Sequence, residues 1–208
     1  MKVIAHRGND NSENNNRIKG LLDCLEKDYI DGVEFDVVMT KDYKFILSHD
    51  YILKTKTTFY NVKKETLKFL KSKDFIKNGK IYPIIELKEF LDKISSDKIL
   101  LMEFKIDNNI NMFAKKIKPM IKKYKNLNLW ICSFDYNILK FFEEYKIGLI
   151  KTRIINQNKS GNYNFISINY IQKQKFPYFM WTINHRIKLP NDNHFLGIIT
   201  DKPRLFKK

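Results

Sequence analysis

The 208-residue chain contains little cysteine, since only Cys24 and Cys132 are present and both stand among apolar neighbours. Two cysteines cannot build the disulfide framework of a small secreted domain, and buried free thiols are typical of a reducing cytosol. We therefore expect a cytoplasmic protein. Apolar runs as long as a membrane-spanning helix are also missing, and the first apolar run, at 3–5, is too short for a signal peptide. The sequence thus predicts no stable membrane insertion.

Acidic residues are scarce beside basic ones, with 23 Asp and Glu against 39 Lys and Arg and a formal net charge of +16. Such an excess favours anionic partners, which include nucleic acids, anionic membrane surfaces and small anionic substrates. The lysines are scattered through every segment, however, and no element interleaves them with stacking aromatic residues. We therefore predict no nucleic-acid partner. The oligomeric state stays open.

The composition is that of a globular protein, with 43% hydrophobic and 14% aromatic residues, and the length suits a single domain over residues 1–208. Short apolar runs predict eight strands, and amphipathic helical patterns stand between several of them. The strand runs are 2–5, 32–37, 99–105, 129–134, 147–152, 165–169, 179–183 and 197–200, with an extra strand at 44–48 that forms a small hairpin with the second; the helical patterns are 18–25, 87–94, 110–121 and 136–145. This alternation predicts an α/β fold, a closed (β/α)8 TIM barrel.

The connections between predicted strands become short in the C-terminal half of the chain. Residues 153–164 have the character of a loop, and only residues 170–177 separate the sixth and seventh strands. A parallel crossover usually needs about a dozen residues. We therefore expect a compact barrel in which several outer helices are shortened or missing on that side.

Three carboxylates stand on neighbouring predicted strands. Glu34 and Asp36 lie two residues apart, so the alternation of a strand points both to one face, about 7 Å apart, and Glu103 lies on the third strand. Bare buried charge is costly, so a divalent cation is the partner we expect. Three carboxylates with water and substrate oxygens suit one hard cation, Mg²⁺ or Ca²⁺ with Mn²⁺ also possible, better than zinc, because no cysteine is placed to bind it.

Basic groups end the same strands. His6 and Arg7 follow the first strand, Lys105 ends the third, and His49 ends the extra strand. Active sites of such barrels lie at the C-terminal ends of the strands, so these groups are predicted to meet the carboxylates there. One strand-end histidine or one isolated pair of carboxylates is ordinarily a surface feature, but packing does not explain all of them at one end of a barrel.

Seven short motifs, spread nearly from end to end, together resemble the glycerophosphodiester phosphodiesterase family in their order. They are HRG with a following EN (6–8 and 13–14), GVEFDVVMTKD (32–42), ILSHD (46–50), LLMEFK (100–105), ICSF (131–134), WTIN (181–184) and GIITDKP (197–203). The chain departs from the family pattern at Ser12, where proline is usual, and at Tyr43, where glycine is usual. These departures remove no catalytic group.

The resemblance implies a metal-dependent phosphodiesterase that hydrolyses glycerophosphodiesters to glycerol 3-phosphate and an alcohol. It leaves open whether water attacks directly or a neighbouring substrate hydroxyl first forms a cyclic phosphate. Residue by residue, it implies that Glu34, Asp36 and Glu103 bind the metal, that His6 and His49 act as general base and general acid on opposite sides of the phosphorus, that Arg7 and Lys105 hold the phosphoryl oxygens, and that Trp181 packs against the glycerol carbons.

Two other readings stay open. One is a different phosphodiester hydrolase, acting on lysophospholipids in the manner of a phospholipase D or on a sugar or polymer linkage. The other is a phosphate-binding module without catalysis, although a binding module has no need of paired proton-transfer groups. Outside the central set, we expect Glu13 and Asp50 to orient the histidines and Asp201 to close a loop by hydrogen bonding.

Overall fold

The computed structural model describes residues 1–10, 16–106, 109–152, 161–169 and 175–207. The strands are β1 (Lys2–Ala5), β2 (Gly32–Met39), β3 (Phe45–Leu47), β4 (Ile52–Lys54), β5 (Phe59–Asn61), β6 (Phe75–Lys77), β7 (Lys80–Tyr82), β8 (Ile99–Phe104), β9 (Leu129–Ser133), β10 (Lys146–Lys151), β11 (Phe165–Ile168), β12 (Tyr178–Met180) and β13 (Phe195–Thr200). The helices are α1 (Ile18–Leu25), α2 (Leu67–Lys71), α3 (Leu87–Leu91), α4 (Ile110–Ile121) and α5 (Tyr136–Leu139). Short 3₁₀ turns follow β1, β5, α4, α5 and β13.

Eight parallel strands close into a barrel. Each pairs with the next in the order β1, β2, β8, β9, β10, β11, β12 and β13, and β13 pairs back with β1. The additional strand β3 runs antiparallel to β2. The predicted (β/α)8 barrel with an extra hairpin strand is therefore confirmed.

The alternation of side chains along the barrel strands creates two apolar layers. On β2, Val33, Phe35 and Val37 point outward and pack with the helices, and the Phe35 ring meets that of Phe90 in α3 edge to face at 5.0 Å. A smaller inner cluster, which includes Phe165 and other strand residues, fills the barrel. Because residues of one strand alternate between faces, the intervening residues of β2 point into the barrel.

The outer helices follow the predicted apolar stripes but are shorter than expected in two places. Helix α3 ends at Leu91, and α5 passes into a 3₁₀ turn, Lys140–Phe142, after only four residues. Between β12 and β13, where the whole connection is described, the chain forms no helix. The two connections for which missing helices were predicted are 153–164 and 170–177, and most of the first and part of the second lie outside the described residues.

The segment between β3 and α3 contains structure that the sequence analysis did not predict. Two antiparallel hairpins, β4–β5 and β6–β7, flank the short helix α2. Their inward side chains form a third apolar cluster, in which Leu53, Val62 and Phe75 are buried. Strands of three residues are too short to show a distinct alternation, which is why they were missed. None of the helices within the described ranges is long and apolar enough to cross a membrane.

Candidate active site

The chain turns sharply where β1 ends, and this turn presents His6 and Arg7. Arg7 and Gly8 both adopt positive φ, at 55° and 67°. A Cβ at Gly8 would lie 2.7 Å from the backbone nitrogen of Leu21, so only glycine fits this approach to α1. The backbone N–H of Arg7 donates to Oε2 of Glu34 over 3.0 Å, which fastens the turn to the second strand.

Three buried carboxylates meet beside this turn, at the C-terminal end of the barrel. Glu34 and Asp36 follow one another on the inner face of β2, and the β2–β8 register places Glu103 opposite Asp36. One ligand oxygen from each of the three lies within 4.8 Å of the others. The three predicted metal ligands are therefore brought together.

Two cations face this cluster. Lys105 Nζ lies 3.2 Å from Oδ1 of Asp36 and also forms an ion pair with Glu103, while Arg7 Nε lies 3.1 Å from Oδ2 of Asp36. Burial alone would raise the pKa of Asp36, but Lys105 and Arg7 outweigh burial and lower it. Asp36 is thus the carboxylate that stays ionised most readily.

The nearby cations offset the cost of burying a negative charge less well at Glu34 and Glu103 than at Asp36. Burial, together with repulsion from the charges of Asp36 and Glu103, raises the pKa of Glu34 well above its ordinary value. Burial and Asp36 raise the pKa of Glu103 to about 7. Oε1 of Glu34 is buried and has no hydrogen-bond partner in the described part of the chain.

This arrangement fits a divalent cation. Three carboxylates and the two cations Lys105 and Arg7 leave a net negative charge when all are ionised. The buried Oε1 of Glu34 has no hydrogen-bond donor among the described residues, and a bound cation would satisfy it instead. All candidate ligand atoms are carboxylate oxygens, the donors that hard divalent cations prefer. Glu34, Asp36 and Glu103 are the residues that could hold it.

His6 is held in place by a carboxylate on the opposite side from the cluster. Its Nδ1 lies 2.7 Å from Oδ1 of Asp201, and its Nε2 lies 3.8 Å from Oε2 of Glu34. Asp201 also accepts hydrogen bonds from the side-chain amides of Asn9, at 3.0 Å, and Asn184, at 2.7 Å. Burial by itself would raise the pKa of Asp201, but the hydrogen bond from His6 and these amides hold it far below its usual value.

The sequence alone indicates only loop closure for Asp201 and does not reveal this contact. Strand register contained the necessary signal, because β13 pairs with β1 and Thr200 lies opposite Ala5. The residues that follow those two, Asp201 and His6, therefore leave the barrel side by side. Recognising this needed the barrel to be closed, which no local pattern shows.

His49 has a carboxylate partner of its own. Its Nδ1 lies 2.7 Å from Oδ1 of Asp50, and Oδ2 of Asp50 pairs with Lys77 Nζ at 3.3 Å. Burial, aided by the charges of Arg7 and Lys105, lowers the pKa of His49 despite the opposing effect of Asp36 and Asp50. Asp50 thus contacts the imidazole that it was predicted to orient, whereas Glu13 lies outside the described residues.

A cavity of about 100 Å³ lies between these groups and opens to solvent. Trp181 and Phe134 form one wall, with their rings edge to face at 6.0 Å, and Lys105 Nζ lies 5.7 Å from the Phe134 ring centroid. The predicted site residues that line this cavity are His6, Arg7, Glu34, His49, Glu103, Lys105 and Trp181. Asp36 is fully buried beside them. An anionic group with an apolar neighbour matches this lining.

The model of the glycerophosphoryl diester phosphodiesterase family matches residues 6–155. The chain belongs to this family. Its members are phosphoric diester hydrolases, as the sequence motifs predicted. The chain is also 31% identical over 161 residues to a glycerophosphodiester phosphodiesterase of Caldanaerobacter subterraneus subsp. tengcongensis, a match that covers 71% of this chain and 65% of that relative.

Solved structures agree with the fold. A glycerophosphodiester phosphodiesterase from Thermotoga maritima is 25% identical, with a TM-score of 0.71 and coverage of 99% of this chain and 96% of the other. A phosphodiesterase of Oleispira antarctica, solved in complex with the product sn-glycerol-3-phosphate, is 22% identical, with a TM-score of 0.80 and coverage of 98% and 94%. The second likeness concerns the fold alone.

Proposed function

We propose that this chain is a metal-dependent phosphodiesterase that hydrolyses glycerophosphodiesters to glycerol 3-phosphate and an alcohol. The observation that supports this most is the pairing of two carboxylate-bound imidazoles, His6 and His49, across one cavity beside a buried carboxylate cluster. A site that only binds phosphate needs cations but not two such imidazoles. Family membership and the product bound to the Oleispira antarctica protein support the same substrate class.

The chain's own residues supply most of the proposed chemistry. Arg7 and Lys105 bind the non-bridging phosphoryl oxygens, Arg7 through its planar fork and Lys105 as a point charge. One imidazole removes a proton from the attacking hydroxyl or water, and the other donates a proton to the departing alkoxide oxygen. In His6 the proton moves at Nε2, because Nδ1 is bound to Asp201.

A divalent cation held by Glu34, Asp36 and Glu103 would neutralise charge on the phosphoryl oxygens and lower the pKa of a bound hydroxyl. We propose Mg²⁺ or Ca²⁺, with Mn²⁺ as a further option, because these ions prefer oxygen ligands. We also propose a cytoplasmic location, since both cysteines are buried free thiols.

Trp181 is the proposed contact for the glycerol carbons. Its ring lies against Phe134 at the wall of the cavity, where an apolar surface would otherwise face water. Such a wall suits the carbon skeleton of a small polyol ester better than its phosphate, which the cations bind.

The test is phosphorus NMR of the products formed from glycerophosphocholine, glycerophosphoethanolamine, glycerophosphoinositol and a lysophospholipid, each with added Mg²⁺ or Ca²⁺. We expect glycerol 3-phosphate from the water-soluble diesters, and His6→Ala and His49→Ala should each lose most of kcat while the fold is retained. Turnover of the lysophospholipid alone would favour the phospholipase-D-like reading. No turnover of any diester by the folded protein with metal would contradict the proposal.

A further inference from the structure

The two hairpins that follow His49 have one face in the protein core and one in solvent. On the inner face, Leu53 of β4, Phe75 of β6 and Tyr82 of β7 are buried, and the ring of Tyr60 in β5 lies 6.1 Å from that of Phe75. Side chains alternate along a strand, so the residues next to these within each strand point outward. Packing of the inner face therefore determines which residues the outer face displays.

The outer face displays large apolar side chains. Ile52, Phe59 and Ile81 are 51%, 64% and 60% exposed. Phe59 lies opposite Lys54 in the β4–β5 pair, and Ile81 lies opposite Ile76 in the β6–β7 pair. We call these five residues, Ile52, Lys54, Phe59, Ile76 and Ile81, the hairpin surface.

Part of the hairpin surface lines a groove that leads toward the candidate active site. A groove between the hairpins is lined by Ile52 and Ile76 and also by Ser48 and Asp50, which flank His49. Single exposed apolar residues are ordinary on proteins, whereas neighbouring ones mark interaction sites. The position beside His49 distinguishes this surface from Phe141, an exposed apolar residue on the 3₁₀ turn after α5.

The surface is held in a defined orientation. Arg17 Nη2 donates to the backbone carbonyl of Ile81 over 3.0 Å, which ties β7 to the start of α1. Lys77 Nζ pairs with Asp50 at 3.3 Å, which ties β6 to the end of the barrel. A preformed surface loses little conformational entropy when it docks.

The charge around the hairpin surface complements an anionic lipid interface. Residues 50–82 contain nine lysines, no arginine and three acidic residues. Lys54 Nζ lies 5.6 Å from the ring centroid of Phe59, so the charge stands directly beside the apolar group. Protein–protein interfaces are depleted in lysine and enriched in arginine, whereas juxtaposed lysines and aromatic or branched apolar residues suit the headgroup region of a bilayer.

We propose that the hairpin surface docks this chain onto the surface of an anionic phospholipid bilayer. Ile52, Phe59 and Ile81 enter the boundary between headgroups and acyl chains, and Lys54 with its neighbouring lysines contacts lipid phosphates. Docking would place the cavity beside His49 next to a source of phosphodiesters, a consequence that rests on the proposed function. The docking itself does not depend on catalysis.

The test is co-sedimentation of the full chain with phosphatidylcholine vesicles and with vesicles that also contain phosphatidylglycerol. We expect binding to the anionic vesicles only, and weaker binding as salt is added. Replacing Ile52, Phe59 and Ile81 together with serine should reduce the partition coefficient by about tenfold or more. The matched control is Phe141→Ser, which should bind like the parent chain.

A second pair of variants separates this surface from general attraction of a basic protein. Lys54→Gln with Lys56→Gln should weaken binding to anionic vesicles more than Lys115→Gln with Lys122→Gln, which removes the same charge from exposed positions on and just after α4. Equal losses in the two pairs would overturn the proposal, as would sedimentation of the triple serine variant equal to the parent chain or no vesicle binding at all.

Turnover of a water-soluble glycerophosphodiester tests the proposed function separately from the proposed membrane docking. The triple serine variant should retain the parent rate, which also shows that it is folded, because none of its three residues lines the cavity. A folded parent chain that binds vesicles but hydrolyses no diester would contradict the proposed function and leave the docking surface supported.

Discussion

Asp201 and His6 lie 195 residues apart in the sequence, and their side chains meet at 2.7 Å. Asp201 stays ionised because its hydrogen bonds hold its pKa far below the usual value, so it can only accept. Nδ1 of His6 must then carry the proton, which leaves Nε2 on the side of Glu34. The contact selects one tautomer and one ring orientation.

Asp201→Asn should therefore lower kcat by about 10²-fold with little change in KM, since proton transfer by a positioned group contributes roughly 10² to 10⁴. An asparagine offers either a weak acceptor or a donor to Nδ1, so the tautomer of His6 is no longer defined. Nitrogen NMR of the His6 ring should show a mixture of tautomers in the variant. The control is Asp192→Asn, which makes the same change at a carboxylate that accepts a 2.8 Å hydrogen bond from Tyr178 and does not line the cavity. A drop in kcat of similar size there would show that the Asp201 effect is merely structural.

Removal of divalent metal should abolish turnover, because the three carboxylates would repel the phosphate that Arg7 and Lys105 attract. Chelation with EDTA followed by Mg²⁺, Ca²⁺ or Mn²⁺ is the measurement, with rate and thermal stability both followed. Glu103→Gln should bind metal at least tenfold more weakly, since it loses one charged ligand. Normal metal affinity and turnover in that variant would rule Glu103 out as a ligand.

Metal should stabilise the protein more as pH rises. The folded, metal-free chain holds the pKa of Glu103 at about 7, above the value of about 4.3 for an unfolded glutamate. The folded state thus binds this proton more tightly, and this group's contribution to stability is lost as pH rises between those two values. A cation that requires the ionised form removes this penalty. The gain in Tm on adding metal should therefore increase from about pH 5 to about pH 8, and Glu103→Gln should reduce that increase. A gain in Tm that is flat with pH would contradict the coupling.

Much of the barrel could be predicted from the sequence, because its strands are short runs in which apolar residues either alternate with polar ones or are continuous. The β2 segment shows this well, since Glu34 and Asp36 alternate with Val33, Phe35 and Val37 and the two sets separate onto opposite faces as predicted. The same alternation was too short to detect in the three-residue strands of the two hairpins. Three residues span barely more than one period of a strand, so local pattern alone does not distinguish such a strand from a loop.

Contacts that depend on barrel closure could not be predicted in the same way. His49 and Asp50 are adjacent in sequence, so their pairing was expected, whereas the contact of His6 with Asp201 needs β13 to return beside β1. The same holds for Lys77, which reaches Asp50 from an unpredicted hairpin. The roles that the motifs imply for these groups stay predictions until the variants are measured.

The turn that presents His6 should be intolerant of a side chain at Gly8. Gly8→Ala adds positive-φ strain and brings a Cβ to 2.7 Å from the Leu21 backbone, so helix α1 must shift. We expect a loss of roughly 3 kcal/mol in the free energy of unfolding from strain and overpacking combined. The matched control is Gly79→Ala in the β6–β7 turn, where φ is +74° and nothing lies within 4 Å of the added Cβ. Gly79→Ala should lower the free energy of unfolding by about 1 kcal/mol, because it adds only the strain of a positive φ. Denaturant unfolding of both variants measures the difference, and equal losses would show that the approach of Gly8 to α1 does not constrain the turn.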